Sequence, residues 1–129
     1  FTFSRIRWAT VEHAYQASKF TDVEYMKRIH DALTPGQAKR LGQARHRSYR
    51  RNWDEYKFDV MGQLVLLKFR ANDNLAQKLI DTGNAVLVEG NTWNDTIWGM
   101  CQNKAGVWIG QNALGQILMA ARQILREGK

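Results

Sequence analysis

Apolar residues recur along the chain at intervals of three and four far more often than they alternate, so helices dominate the reading. Thr10 suits a helix N-cap, and every position from there to Phe20 tolerates a helix. Asp22 suits the cap of a second segment, with Val23, Met26, Ile29 and Leu33 at helical spacing. Thr34-Pro35-Gly36 ends it, and Pro35 fits the first position of a third helix. Residues 53–71 predict the central helix of the core, with Trp53, Tyr56, Val60, Leu64 and Leu67 along one side. Asn74 is the expected cap of a short helix holding Leu75, Leu79 and Ile80, stopped by Thr82-Gly83-Asn84. Residues 85–89, AVLVE, give the one clear strand pattern. A last helix over 113–126 turns Leu114, Ile117, Leu118, Ala121 and Leu125 inward. The expectation is a helix-dominated α+β fold, one compact domain over residues 1–129 with about six helices and one or a few short strands.

Residues 90–112 follow neither period. They hold four glycines, four asparagines and three tryptophans in 23 residues. Irregular segments of that length are uncommon in small domains and often functional. Trp93, Trp98 and Trp108 must either be buried or bind something flat. Asp95, between two indoles, reads in two ways: as a desolvated carboxylate suited to acid–base work, or as the cap of a turn. Gly99 and Gly110 permit close approach of backbone to a ligand. Gly110-Gln111-Asn112 precedes the last helix, whose N-terminus would favour an anion.

Charge changes the picture locally. The net charge of +7 points to an anionic partner, and residues 39–51, KRLGQARHRSYRR, hold six Lys/Arg and no acid. Lys39, Arg40, Arg45, Arg47, Arg50 and Arg51 either contact phosphates or nucleic acid, or form a solvated face balanced by acids elsewhere. Apolar content of 44% supports a real core, and no apolar run approaches a membrane span, so no membrane partner is expected. The single Cys101 forms no internal disulfide, which favours a reducing, cytoplasmic setting. His13, His30 and His46 lack metal-ligand spacing, so no metal is expected.

The opening helix carries the sharpest candidate chemistry. At 100° per residue Glu12, Gln16 and Lys19 fall within about 60° of one another, with Trp8, Tyr15 and Phe20 around them. The row is either a solvated stripe or a ligand-facing set.

Three stretches resemble the NADAR domain, also called the YbiA-like family: WATVEHAYQASKF (8–20), LVEGNTWNDTIWG (87–99) and GQNALGQILMAAR (110–122). TPGQAKRLG (34–42) and KF (68–69) fit the same pattern. Members usually begin with a segment of the Leu-Ser-Asn-Phe type before the phenylalanine matching Phe1 or Phe3; this sequence starts after it. The resemblance implies an N-glycosidase that cleaves a ribosyl C1–N bond and needs no cofactor. Its substrate is either ADP-ribose on guanine, with a DNA ADP-ribosyltransferase toxin as cognate partner, or a phosphoribosylaminopyrimidine of early riboflavin synthesis. Glu12 is expected to protonate the leaving amine or stabilise charge at C1, Lys19 to form a Schiff base, and Asp95 to orient water. Trp8, His13, Gln16, Trp93, Trp98, Gly99, Gly110 and Asn112 are expected at the substrate. Two other classes stay open: a reader of ADP-ribose without turnover, and a basic helical nucleic-acid binder.

Overall fold

The computed structural model describes residues 2–128, in two compact units, Phe1–Ala71 and Asn72–Lys129. The first opens with a hairpin of β1 (Thr2–Phe3) and β2 (Ile6–Arg7), turned through Ser4 and Arg5, both with positive φ. Helices α1 (Val11–Ala17), α2 (Val23–His30), α3 (Pro35–Gln43) and α4 (Trp53–Arg70) follow, and α1 packs on the other three. Side chains of Thr10, Asp22 and Thr34 cap α1, α2 and α3 as the sequence predicts. Ala14, Ala17, Phe20, Ile29, Ala38, Trp53 and Leu64 form the buried centre. Tyr56, expected with them, is exposed, and so are Val23 and Leu33 of the predicted second stripe. Of that stripe Ile29 is buried and Met26 half-buried, and Tyr25 joins Ile29 on the buried face of α2.

α1 stops three residues short of the expected end. The amides of Lys19 and Phe20 reach back only three residues, to Gln16 and Ala17, which tightens the last turn. Beyond it, Thr21 N–H donates to Ser48 O, and Arg50 N–H to Lys19 O. Residues 19–21 therefore find backbone partners in 48–50, and the fully buried Phe20 anchors the exchange.

His30 ties β2 to the end of α2. Its Nε2 lies 2.7 Å from Arg7 O and its Nδ1 2.8 Å from an Asp31 carboxylate oxygen. Both partners only accept, so both ring nitrogens donate, which is the protonated ring. The bond to Asp31, then that to Arg7 O, hold the His30 pKa above its ordinary value. A raised histidine pKa contributes stability that is complete below about pH 6.5 and lost as pH rises through the raised folded value. The hairpin is therefore expected to loosen as pH rises through that folded value. Titration of His30 by NMR checks this: its pKa should exceed that of a free histidine and return toward it in Asp31→Asn.

The second unit contains α5 (Asp73–Asp81), a hairpin of β3 (Cys101–Gln102) and β4 (Trp108–Ile109), and α6 (Ala113–Arg126), which packs on α5. The cap of α5 is Asn72, not Asn74: its side chain accepts from Leu75 N–H. Arg122, buried on α6, donates to Thr82 Oγ1 and Ala85 O and fixes the turn after α5.

The expected strand 85–89 does not form. Val86 and Val88 are exposed, and backbone pairing begins only at its end, where Glu89 O accepts from Met100 N–H beside the Gly90–Met100 bridge. A side chain takes over part of the pairing: Asn112 Oδ1 accepts from Glu89 N–H at 2.9 Å and its Nδ2 donates to Leu87 O at 2.8 Å. Among the described residues, no helix is long and apolar enough to cross a membrane.

Candidate active site

In the first unit the predicted row is assembled, though not as one helix stripe. Glu12 is half-buried on the first turn of α1, and Gln16 Nε2 donates to its Oε1 at 2.9 Å. Gln16 is 4% exposed, and its own Oε1 is buried without a partner among the described residues. A buried amide half satisfied is costly. Lys19 lies past the helix end, half-buried, with Nζ 3.5 Å from Gly42 O and 5.6 Å from the centre of the Tyr15 ring. Burial pulls its pKa below the usual lysine range, Glu12 opposes the shift, and Lys39 and Lys57 add to it. The Tyr15 hydroxyl is pushed upward, mainly by burial and then by Glu12. The solvated-stripe reading fails on Gln16, and the row is a carboxylate, an amide and an amine in partly dry surroundings.

Gly42 sets this geometry. It sits on α3 against Gln16, and a Cβ there would overlap the Gln16 side-chain oxygen and lie 2.6 Å from its Cδ. α3 approaches α1 closely only because this residue has no side chain.

Two residues expected at the substrate are scaffold. His13 is 1% exposed, with Nε2 2.9 Å from Ala32 O and Nδ1 2.7 Å from Thr10 Oγ1. A carbonyl only accepts, so Nε2 carries the hydrogen and the Thr10 hydroxyl donates to Nδ1, which leaves neither nitrogen for a ligand. Trp8 is buried edge-on to His30 with its indole N–H on Phe3 O. In the basic run, Arg50 is also structural: Nε donates to Ser18 O at 2.9 Å and the guanidinium lies over Tyr56. Lys39, Arg40, Arg45, Arg47 and Arg51 are exposed, and among the described residues none has a carboxylate partner. The balancing acids that a merely solvated face would have are missing.

In the second unit the 90–112 segment is closed upon itself. Asp95 Oδ1 accepts from Ile97 and Trp98 amides at 3.1 and 2.9 Å, which is the capping job, and leaves the other oxygen out of those bonds. Asn91, 9% exposed, accepts from Trp93 N, Asp95 N and the Cys101 thiol. A Cβ at Gly99 would strike Glu89 O, and at Gly110, where φ is 134°, it would lie 2.5 Å from Gly99 O. The close approach those glycines allow is of the loop to itself. Gln111, Asn112, Ala113 and Leu114 amides donate to the carbonyls of Thr96, Gly99, Ile97 and Trp98. The expected anion site at the start of α6 is therefore corrected: these amides are already spent, and the Asn112 side chain with them. Trp98 is half-buried, while Trp93 (72% exposed) and Trp108 present ring surface outward.

A carboxylate held by an amide beside a desolvated amine equips an enzyme for proton transfer or imine formation. The chain belongs to the NADAR family, whose domain model matches residues 1–126. It is 43% identical over 122 residues to the N-glycosidase Npun_R5314 of Nostoc punctiforme, spanning 92% of this chain and 75% of that one. It is 38% identical over 118 residues to the N-glycosidase YbiA of Escherichia coli, covering 92% and 71%. The NMR structure of E. coli YbiA superposes with a TM-score of 0.82 at 36% identity, over 97% of this chain and 71% of that one. The riboflavin biosynthesis protein VVA0006 of Vibrio vulnificus is 36% identical over 126 residues, which cover 98% of this chain and 33% of that protein.

Proposed function

We propose that this chain is an N-glycosidase that hydrolyses a ribosyl C1–N bond, with Glu12 and Lys19 carrying the chemistry and ADP-ribose on guanine as the substrate. The class, a hydrolase of N-glycosyl bonds, follows from the family and the names of its relatives. One observation carries the mechanism: Lys19 is desolvated, its pKa lowered, beside a carboxylate that Gln16 holds in place.

Cleavage needs a proton on the departing amine and relief of positive charge at C1. In the reading favoured here the sugar ring opens as the C1–O bond breaks and the nitrogen lone pair forms an imine. The Lys19 amine adds to C1, the aromatic amine leaves with a proton delivered through Glu12, and a lysine imine remains. Water adds to that imine, which returns the free sugar and the free Lys19 amine. A lowered lysine pKa raises the fraction of free amine near neutral pH, which supports this route over a purely dissociative one. The unpaired cations of the basic run support a substrate borne on nucleic acid. The name of the Vibrio relative favours a second substrate, a phosphoribosylaminopyrimidine.

The test is product release from both substrates in parallel, with borohydride present in a second set. An adduct of sugar mass at Lys19, absent in Lys19→Ala and increasing with pH through the lowered lysine pKa, is the expected result. Release of ADP-ribose from the oligonucleotide fixes the substrate, and release only from the aminopyrimidine moves it to the second reading. Binding with release from neither leaves a reader.

A further inference from the structure

A phosphate-bearing sugar needs an anion site, and the amides at the start of α6 do not provide it. The first unit offers another. A cavity of about 400 Å³ opens beside Lys19, lined by residues 42–44 together with Arg45, His46 and Tyr49. Its size suits a sugar phosphate, and pockets for small ligands begin at about 300 Å³.

We propose that this cavity holds a phosphate ester on the sugar whose C1 meets Lys19, with Arg45 as the cation and the Tyr49 hydroxyl as a further donor. The inference rests on the proposed function, because it takes Lys19 as the group at C1. No carboxylate lines the cavity, while the Arg45 guanidinium and the Lys19 amine do. Arg45 is exposed, and its guanidinium has no hydrogen-bond or ion-pair partner among the described residues. A guanidinium free of partners grips phosphate through two parallel N–H donors. The Tyr49 phenol also makes no hydrogen bond among the described residues, and burial, then Asp54, hold its pKa above the ordinary value, so it keeps its proton and donates.

The remaining walls are set rather than yielding. His46 stacks on Tyr25 at 4.1 Å between ring centres, and its Nδ1 accepts from Ser48 N–H at 3.1 Å. α3 ends here, and its carbonyls would repel an anion. Two are covered: Leu41 O by the Tyr25 hydroxyl at 2.6 Å, and Gly42 O by Lys19 at 3.5 Å. The division of labour follows from charge. Phosphate against Lys19 itself would raise the lysine pKa and remove the free amine, so Arg45 takes the charge and Lys19 meets the other end of the sugar. Among the other cations, Arg47 and Arg51 do not line this space, and Arg50 is held by Ser18 O.

The experiment titrates ribose 5-phosphate, ribose and inorganic phosphate into the whole chain by NMR, in wild type, Arg45→Ala, Arg45→Lys and Lys104→Ala. Ribose 5-phosphate is expected to shift Lys19, Arg45 and Tyr49, with affinity falling about tenfold in Arg45→Ala, one charge-assisted contact's worth. Arg45→Lys should recover part of it, Lys104→Ala should match wild type, and ribose alone should bind at least about tenfold more weakly. Equal affinity in Arg45→Ala, or shifts confined to residues 110–114, overturns the proposal. Arg45-dependent binding in a protein that cleaves neither substrate leaves the cavity standing and removes the proposed function. Turnover with KM unchanged in Arg45→Ala does the reverse.

Discussion

Glu12→Gln is expected to fold normally and to lose about 10²- to 10⁴-fold in kcat, the usual contribution of a positioned acid or base. The substitution keeps shape and removes the transferable proton and the carboxylate charge. Gln16 Nε2 can still donate to the oxygen of the new amide, as it does to Glu12 Oε1. The loss should therefore appear in kcat, with thermal stability unchanged. A second readout separates chemistry from packing. Glu12 raises the pKa of Lys19, so without it the lysine titrates lower still. Turnover retained at the wild-type rate would remove Glu12 from the mechanism.

Gly42→Ala is the substitution with the largest expected effect on the fold. The new methyl would collide with a buried side chain across the α1–α3 contact, and overpacking of that kind costs about 1–3 kcal/mol. Gln16 cannot swing away cheaply, because it is 4% exposed and its amide is committed to Glu12. If it does move, Glu12 loses its clamp and the Gly42 carbonyl shifts from Lys19, so activity should fall more than stability predicts. Gln16→Ala in the same chain should rescue only in part, since the Gln16 Cβ itself would lie 2.8 Å from the methyl. Gly62→Ala on α4 is the contrast: nothing lies within 4 Å, and a helical alanine there should stabilise by up to about 1 kcal/mol. Urea denaturation of these three variants, read beside kcat, checks the set.

Much of the helical framework was legible because its signals are local. Thr10, Asp22, Thr34 and Pro35 mark the starts of α1, α2 and α3 through their own hydrogen bonds or fixed φ. The errors fall where a distant residue intervenes. α1 ends early because residues 48–50 offer partners to 19–21, and AVLVE forms no strand because its polar groups go to scattered partners, the Asn112 side chain, Arg122 and the Met100 amide. Strand propensity says that valine tolerates extended backbone, not that a neighbour exists. For the site, helical spacing found Glu12 and Gln16 on one face and placed Lys19 nearby, though by a tight turn rather than a second helical turn. What it missed was Gly42, a small residue in a basic helix with no local mark of its role. His13, expected at the substrate, has both ring nitrogens engaged by Thr10 and Ala32, partners that no local signal announces.

Asn112 has a consequence for how the second unit yields to damage. Its side chain fastens the beginning of the irregular segment to the end, across 23 and 25 positions, and so makes a closed ring of chain. A ring tolerates one cut. Residues 103–106 are exposed at the tip of the β3–β4 hairpin, the sort of place where proteases nick folded proteins. A break there leaves Trp93, Asp95 and Trp98 still fastened on one side by Asn91 and on the other by the start of α6. The same closure makes the tip, and not the base, the place where this segment can lengthen without disturbing what it holds.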